Sequence, residues 1–516
     1  MALPPGGAAV GRVRAYLFDD VVRSHGFLAC RCLVSGTSRR DPAHETHSIR
    51  YSGFEEHSQQ RSEREPMSQT TTPGASPADG VRDAYVLGGN RIPFGKVGGA
   101  YARASNQDML TAALDGLIAR HGLQSERIGE VVGGAVLKHS ADFNLVRESV
   151  LGTTLDPRTP AFDLQQACAT GLEAVVSLSN KIRLGQTESG IACGVDSTSD
   201  APIAVSKGLR RVLLAAAHAK DTPSRVKAFL KVRPKHLAPD APRTDEPRTG
   251  LSMGEHQAIT TARWGITREA QDDVALRSHH NLAASYDRGF QDDLVTPYRG
   301  LVRDQILRPE TSAEKLAKLS PVFGKSLPTA ATMTAGNSTP LSDGASAVLL
   351  GSRQWAQERN LPLLARIVDA ETAAVDFVHG HEGLLMAPVH AAARLLTRNG
   401  LRLEDFDYVE IHEAFASVLL TTQAAWADDD YCRTELGLDG ALGTIDPDRI
   451  NVNGSSLAAG HPFAATGGRI VAQTAKLLAE HQREHGTPAR ALITVCAAGG
   501  LGVTAILESV PAEGGN

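Results

Sequence analysis

The chain has 516 residues, too long for one ordinary domain and enough for two or three. Hydrophobic residues make up 42%, which permits a substantial core, and a formal net charge of −5 gives no global drive toward nucleic acid. No apolar run approaches the ~20 residues that cross a bilayer, and six scattered cysteines are unlike a disulfide scaffold. The cysteines read as reduced and the compartment as cytoplasmic.

Residues 1–80 differ from the rest. His44 to Asp79 is rich in Ser, Thr, Glu, Arg and Pro and reads as disorder, Met67 is a candidate natural start, and Cys30-Arg-Cys32 has no second pair at zinc-site spacing, so no metal is expected. Asp83 to Phe94 reads as a strand running into a turn, Gln107 to His121 as an amphipathic helix, and Ile128 to Leu137 as a strand. Ala161 to Ala174 reads as a short strand, a sharp turn and a helix whose Leu172, Val175, Val176 and Ile182 share a face. Gly190 to Ser197 follows as a buried strand. Residues 200–330 break the alternation, are largely helical and polar, and read as an inserted lid. Asp343 to Gly351 resumes the strands. From about 361 the layout repeats: strand 364–369, helix 389–399, strand 408–411, helix 415–427, a turn and helix over 451–469, and strands 491–496 and 503–508. Strands alternating with helices predict a layered α/β fold in two similar halves, 83–355 and 361–509.

Cys168 stands at the predicted helix start, where free N–H groups and the dipole favour a thiolate. Roughly 300 residues on, Gly460-His-Pro-Phe463 and Thr494-Val-Cys-Ala-Ala-Gly-Gly-Leu-Gly502 offer a base and a second thiol in Gly-rich turns. A nucleophilic Cys, a His and a second Cys point to acyl transfer through a thioester. Cys193, by contrast, reads as core filler.

Four blocks occur in order: Gln166-Ala-Cys-Ala-Thr-Gly-Leu172, Thr332-Met-Thr-Ala-Gly-Asn-Ser-Thr-Pro-Leu-Ser-Asp-Gly-Ala345, His412-Glu-Ala-Phe-Ala416, and the pair Asn451 to Phe463 with Cys496-Ala-Ala-Gly-Gly500. Over about 83–509 the chain resembles the thiolase family. The resemblance implies a duplicated five-layered α-β-α-β-α fold with an inserted, largely helical lid, and an acyl-CoA acyltransferase that uses CoA as substrate and needs no cofactor. By resemblance, Cys168 attacks the keto carbon, His461 takes its proton, and Cys496 handles the α-carbon proton. The N–H groups of Cys168 and Ala498 receive one oxyanion, and His461 with His412 the other. The block headed by His412, where thiolases more often carry Asn, resembles the thiolase subunits of fatty-acid oxidation complexes. Ala498 stands where most thiolases have Gly. Met253, Phe323, Ala335, Thr339, Ala414 and Phe415 would line the pantetheine and acyl tunnel.

Between Ser206 and Pro239 lie Lys207, Arg210, Arg211, Lys220, Arg225, Lys227, Lys231, Arg233 and Lys235, against Asp221 as the sole acid. Such a lid suits the phosphates of CoA. It would equally serve as a solvated face, or dock on an anionic membrane or partner subunit. The expected activity is 3-ketoacyl-CoA cleavage in β-oxidation. Acetyl-CoA C-acetyltransferase is the alternative, and a non-catalytic lipid-binding subunit stands further off. Cys496 argues against a ketoacyl synthase. A homodimer or homotetramer is expected by resemblance, with a hydratase/dehydrogenase α-subunit as a further partner.

Overall fold

The computed structural model describes residues 81–511. The expectations placed on residues 1–80, including Met67, Cys30 and Cys32, lie outside the described residues.

The first half contains β1 (Ala84–Arg91), β2 (Gly95–Lys96), α1 (Asn106–His121), β3 (Glu130–Gly134), α2 (Leu145–Leu151), β4 (Ala161–Asp163), α3 (Thr170–Arg183) and β5 (Ser189–Asp196). An insertion carries β6 (Ala204–Val205), α4 (Lys207–Ala217), α5 (Thr222–Phe229), β7 (Pro239–Asp240), α6 (Met253–Arg263), α7 (Arg268–Asp287) and α8 (Ala313–Ala317) before β8 (Ser342–Gly351) and α9 (Arg353–Gln357). The second half comprises β9 (Ala365–Ala374), α10 (Ala387–Asn399), β10 (Tyr408–Ile411), α11 (Ala416–Ala427), α12 (Asp429–Thr434), α13 (Ser456–Ala459), α14 (Ala465–His485), β11 (Arg490–Ala497) and β12 (Leu501–Ser509). Local chemistry sets many of these limits. Ser105 and Asp108 close a capping box at the start of α1, and left-handed Gly122, Gly400 and Gly486 end α1, α10 and α14.

The strands run in the order β10-β11-β12-β9-β1-β8-β5-β3-β4, with β2 paired to β8. The two halves of this order meet where Ala84–Val86 pairs antiparallel with Ala365–Ile367. Alternation along each strand then builds the layers. On β5, Ile191 and Cys193 face α1 and α2, while Ala192 faces α3 and α14. On β11, Ala491, Ile493 and Val495 face that same central helix layer, and Leu492 faces α10 and α11. The result is α-β-α-β-α. Cys193 is fully buried in the outer core of the first half, as a small apolar side chain would be.

In the central layer, α3 and α14 approach backbone to backbone. A Cβ on Gly171 would sit 2.6 Å from the Ala464 oxygen, and one on Gly467 would sit 2.3 Å from the Leu172 nitrogen. Those glycines bring the start of α3, just after Cys168, against the start of α14, just after His461.

The insertion is not uniformly polar. Its α7 is buried along one face and packs against α13 and α11. The segment from β6 to β7 is largely exposed, and Leu214, Leu230 and Leu237 are 53%, 80% and 66% accessible.

Candidate active site

Cys168 lies in the turn between β4 and α3. The residue before it, Ala167, is held at φ 46°, a region that costs an L residue strain of order 1–3 kcal/mol. The strain is held by a local clasp: Gln166 N–H donates to Thr170 Oγ1 at 2.9 Å, and that hydroxyl donates to the Ala167 carbonyl at 2.7 Å. The clasp leaves Cys168 partly accessible, with its own N–H and that of Ala498 reaching its sulfur. The sequence placed this thiol where a helix dipole would lower its pKa. Burial instead pushes it up to about 12, the Asp196 carboxylate adds to the rise, and the two N–H groups offset part of it. At neutral pH the group is a thiol and needs a base.

Cys496 is the penultimate residue of β11, ahead of the turn Ala498-Gly499-Gly500, in which both glycines are left-handed at φ 80° and 71°. Ala498 is not among the positive-φ residues, so its methyl group adds no backbone strain. Two elements grip the turn. Glu246, from the insertion, accepts from Gly499 N–H at 2.7 Å, and Val375 N–H donates to the Gly500 carbonyl at 2.9 Å. Cys496 is buried, which raises its pKa, and nearby Cys168 raises it further. Both cysteines are free thiols.

His461 follows Gly460, which takes φ 103°. Its N–H donates to Ser342 Oγ at 2.8 Å, and its Nδ1 lies 2.6 Å from Thr466 Oγ1. The turn is pinned to β5 through Asp196, which accepts from Ala464 N–H at 2.9 Å and from Val136 and Leu137 on its other oxygen. Burial, and then the Arg469 cation, lower the His461 pKa to about 3, so the ring is a neutral base.

His412 follows β10, and its N–H bonds to the Thr494 carbonyl, two residues before Cys496. Its ring centroid lies 4.2 Å from that of His461. Nδ1 is 2.9 Å from Ser456 Oγ, while the buried Nε2 has no hydrogen-bond partner among the described residues. Burial, then His461 and Arg469, push its pKa well below the usual histidine value. Beside it, Glu413 ties three elements together, accepting from Ser278 of α7, Asn451 and Leu457 N–H. These ties bring the turns of Cys168, Cys496, His461 and His412 into one site.

The predicted substrate residues divide. Met253, Phe323, Ala414 and Phe415 join Cys496 in one apolar cluster with Met333, Leu384 and Phe377, and the Phe323 and Phe415 rings meet edge to face at 5.8 Å. Thr339 does not offer a free hydroxyl. Its Oγ1 donates to the Ala414 carbonyl at 2.9 Å and its N–H to the same oxygen at 3.1 Å. Ala335 is exposed on the turn between Thr334 and Asn337, outside that cluster. Ala498 provides backbone rather than side chain. On the insertion, Arg211, Lys231, Arg233, Lys235 and His236 line a cavity of about 610 Å³. Among the described residues no group of three or more His, Cys, Asp or Glu could hold a metal ion.

Sequence reasoning passed over Glu246, Ser456, Thr466 and Arg469. Arg469 did carry a signal, as a lone cation in the small and apolar run Gly467-Gly468-Arg469-Ile470-Val471.

Residues 84–354 match a family model described as thiolase, N-terminal domain, and residues 361–509 match thiolase, C-terminal domain. The 3-ketoacyl-CoA thiolases of Yersinia pestis (strain Pestoides F) and Yersinia pseudotuberculosis (strain YPIII) are each 38% identical to this chain over 429 residues, covering 82% of it and 96% of their own length. Among solved structures, human mitochondrial 3-ketoacyl-CoA thiolase aligns with a TM-score of 0.67 at 28% identity, over 83% of this chain and 99% of that one. The Bacillus anthracis acetyl-CoA acetyltransferase aligns with a TM-score of 0.66 at 28% identity, over 84% and 100%.

Proposed function

The chain belongs to the thiolase family, and from that premise we propose how its residues carry out the reaction. It is an acyltransferase that cleaves 3-ketoacyl-CoA with CoA to acetyl-CoA and a shortened acyl-CoA. Cys168 Sγ attacks the C3 carbonyl while its proton passes to His461 Nε2. The resulting alkoxide is received by the N–H groups of Cys168 and Ala498. When the carbonyl re-forms, the C2–C3 bond breaks. Its electrons leave on the acetyl-CoA enolate, whose oxygen faces His461 and His412. Cys496 gives its proton to C2, and acetyl-CoA departs. The incoming CoA thiol then returns a proton to the Cys496 thiolate and attacks the acyl-Cys168 thioester. Cys168 leaves as a thiolate and regains its proton from His461.

The observation that carries this reading is the reach of the Ala498 N–H to the Cys168 sulfur, from the turn that also bears Cys496. Nucleophile, second thiol and oxyanion donor thus lie side by side. The raised pKa of both thiols fits it too, since a Cys496 thiolate formed in such a site is basic enough to take the α-proton in the reverse direction.

The finer assignments belong to the same proposal. Met253, Phe323, Ala414 and Phe415 line the acyl and pantetheine path, with Ala335 and Thr339 at its mouth. The cavity formed by Arg211, Lys231, Arg233 and Lys235 takes the CoA phosphates. The protein works in the cytoplasm as a homodimer or homotetramer, with a hydratase/dehydrogenase α-subunit as partner, and without cofactor, metal or nucleic acid. No helix among the described residues is long and apolar enough to cross a membrane. Condensation of two acetyl-CoA molecules is the second reading, favoured by the equally good overlay on the Bacillus anthracis acetyltransferase.

The test is thiolysis of acetoacetyl-CoA and of a long-chain 3-ketoacyl-CoA by the full chain, followed by loss of the substrate–Mg²⁺ absorbance, with Cys168→Ala as control. Faster long-chain cleavage supports the β-oxidation role. Turnover of acetoacetyl-CoA alone favours the acetyltransferase. No turnover of either would overturn the stand-alone enzyme.

A further inference from the structure

We infer that Ser456 and Arg469 are positioning residues that lock His412 into one tautomer, Nδ1 accepting and Nε2–H donating toward the substrate oxygen. The inference rests on the thiolysis reading above and adds a specific proton arrangement to it.

The argument starts from the buried cation. Arg469 is 3% exposed on α14, and a guanidinium can donate but never accept. Its Nη2 lies 3.0 Å from Ser455 Oγ and 3.3 Å from Ser456 Oγ, so both hydroxyl oxygens accept from it. Ser456 is fully buried, and its own hydroxyl hydrogen needs an acceptor. Among the described contacts that acceptor is His412 Nδ1, 2.9 Å away. A neutral imidazole whose Nδ1 accepts carries its proton on Nε2. The opposite tautomer would put an N–H and an O–H against each other and leave the serine hydrogen unpaired. Nε2 is also the ring atom that the protein leaves without a partner in a buried site, where an oxygen of the substrate would sit.

His461 provides the internal control. Its Nδ1 faces Thr466 Oγ1 at 2.6 Å, and no cation is bonded to that hydroxyl among the described contacts. Thr466 is therefore free to accept from Nδ1–H, leaving His461 Nε2 able to take the Cys168 proton. Two imidazoles 4.2 Å apart thus receive opposite proton arrangements, one a base and the other a fixed donor.

The test reads the tautomer directly. Spectra of the full-length protein labelled with ¹⁵N-histidine, assigned with His412→Gln, are expected to show His412 as the Nε2–H form in the absence of substrate. Ser456→Thr keeps this signature and the thiolysis rate. Ser456→Ala mixes the tautomers and lowers kcat about tenfold or more, with KM for the 3-ketoacyl-CoA little changed. An Nδ1–H form in the wild-type spectrum overturns the inference, as does a Ser456→Ala variant with wild-type kcat. The wild-type spectrum decides even if Ser456→Ala fails to fold. Because the spectrum needs no substrate, its outcome is separate from that of the thiolysis reading, which fails if the wild type turns over no 3-ketoacyl-CoA.

Discussion

The proposed catalytic floor and the exposed part of the insertion are built in opposite ways. On the floor, polar groups are buried and held from fixed directions. Asp196 accepts three backbone N–H groups, Glu413 three donors, and both histidines are fixed through Nδ1. Between β6 and β7, by contrast, nine cations and several leucines stand in or near solvent. The difference fits the roles proposed for the two regions. Groups that meet a developing charge must be arranged before it appears, because reorganisation during the reaction would cost rate. A surface that receives a long, anionic substrate can be completed by the ligand itself.

The largest effects should come from breaking the floor. Cys168→Ala is expected to lower kcat by on the order of 10⁴-fold or more, measured in the thiolysis assay. The raised thiol pKa gives this a pH signature. An acid with a pKa near 12 is protonated throughout the neutral range, and its thiolate fraction grows tenfold per pH unit. In His461→Gln, alkylation of Cys168 by iodoacetamide should therefore climb log-linearly from pH 7 to 10, and a plateau by pH 8 would contradict a burial-raised thiol. His412→Ala, which removes one oxyanion donor, should cost about 10²- to 10³-fold in kcat. The histidines also tie the floor to stability. The folded state holds His461 neutral, with a pKa near 3, whereas an unfolded histidine protonates near 6.5. Stability contributed by this site is whole above pH 6.5 and is lost as pH falls toward 3. The drop in urea midpoint between pH 7 and pH 5 should be smaller in His461→Gln than in the wild type.

This contrast also decided what the sequence could disclose. Cys168, His461, His412 and Cys496 sit in ordered blocks that resemble the thiolase family, so they were legible as candidates, and the structure brings their turns together. The layered α/β order was legible too, because strands alternate with helices along the chain, whereas which face of β5 carries Ile191 and which Ala192 is set by packing, since all are apolar. The supports were not. Ser456 and Thr466 look like ordinary helix-start hydroxyls, and their roles depend on Arg469 of α14, His412 after β10 and His461 meeting them in the fold. The Cys168 pKa was misjudged because a helix start is visible in sequence while the burial that outweighs it is a property of packing. The Thr339 bond to the Ala414 carbonyl was not legible, because that carbonyl, 75 residues on, meets it only in three dimensions.

Glu246 cuts across the comparison. It belongs to the insertion, yet it is 7% exposed and holds Gly499, one residue from the oxyanion donor Ala498. Removing this acceptor leaves a backbone N–H unpaired and frees the turn that aims both Ala498 N–H and Cys496. Glu246→Ala is expected to lower kcat about tenfold, whereas Glu246→Gln, which keeps the accepting oxygen, should retain most of the rate. Equal losses in both variants would assign the effect to charge rather than to the grip on the turn.

The smallest effects should come from the exposed segment. Lys231, Arg233 and Lys235 line the insertion's cavity and lie far from the thiols in the chain. A phosphate held there contributes equally to ground and transition states, so its loss should raise KM and leave kcat alone. Replacing any one of the three by Ala is expected to raise KM for CoA about twofold to fivefold, since exposed ion pairs are worth roughly 0–1 kcal/mol. The increment should shrink as ionic strength rises, because at 1 M salt charges are screened beyond about 3 Å. A fall in kcat without a change in KM would mean that this surface shapes the floor, and the division between a rigid chemical site and a ligand-completed surface would not hold.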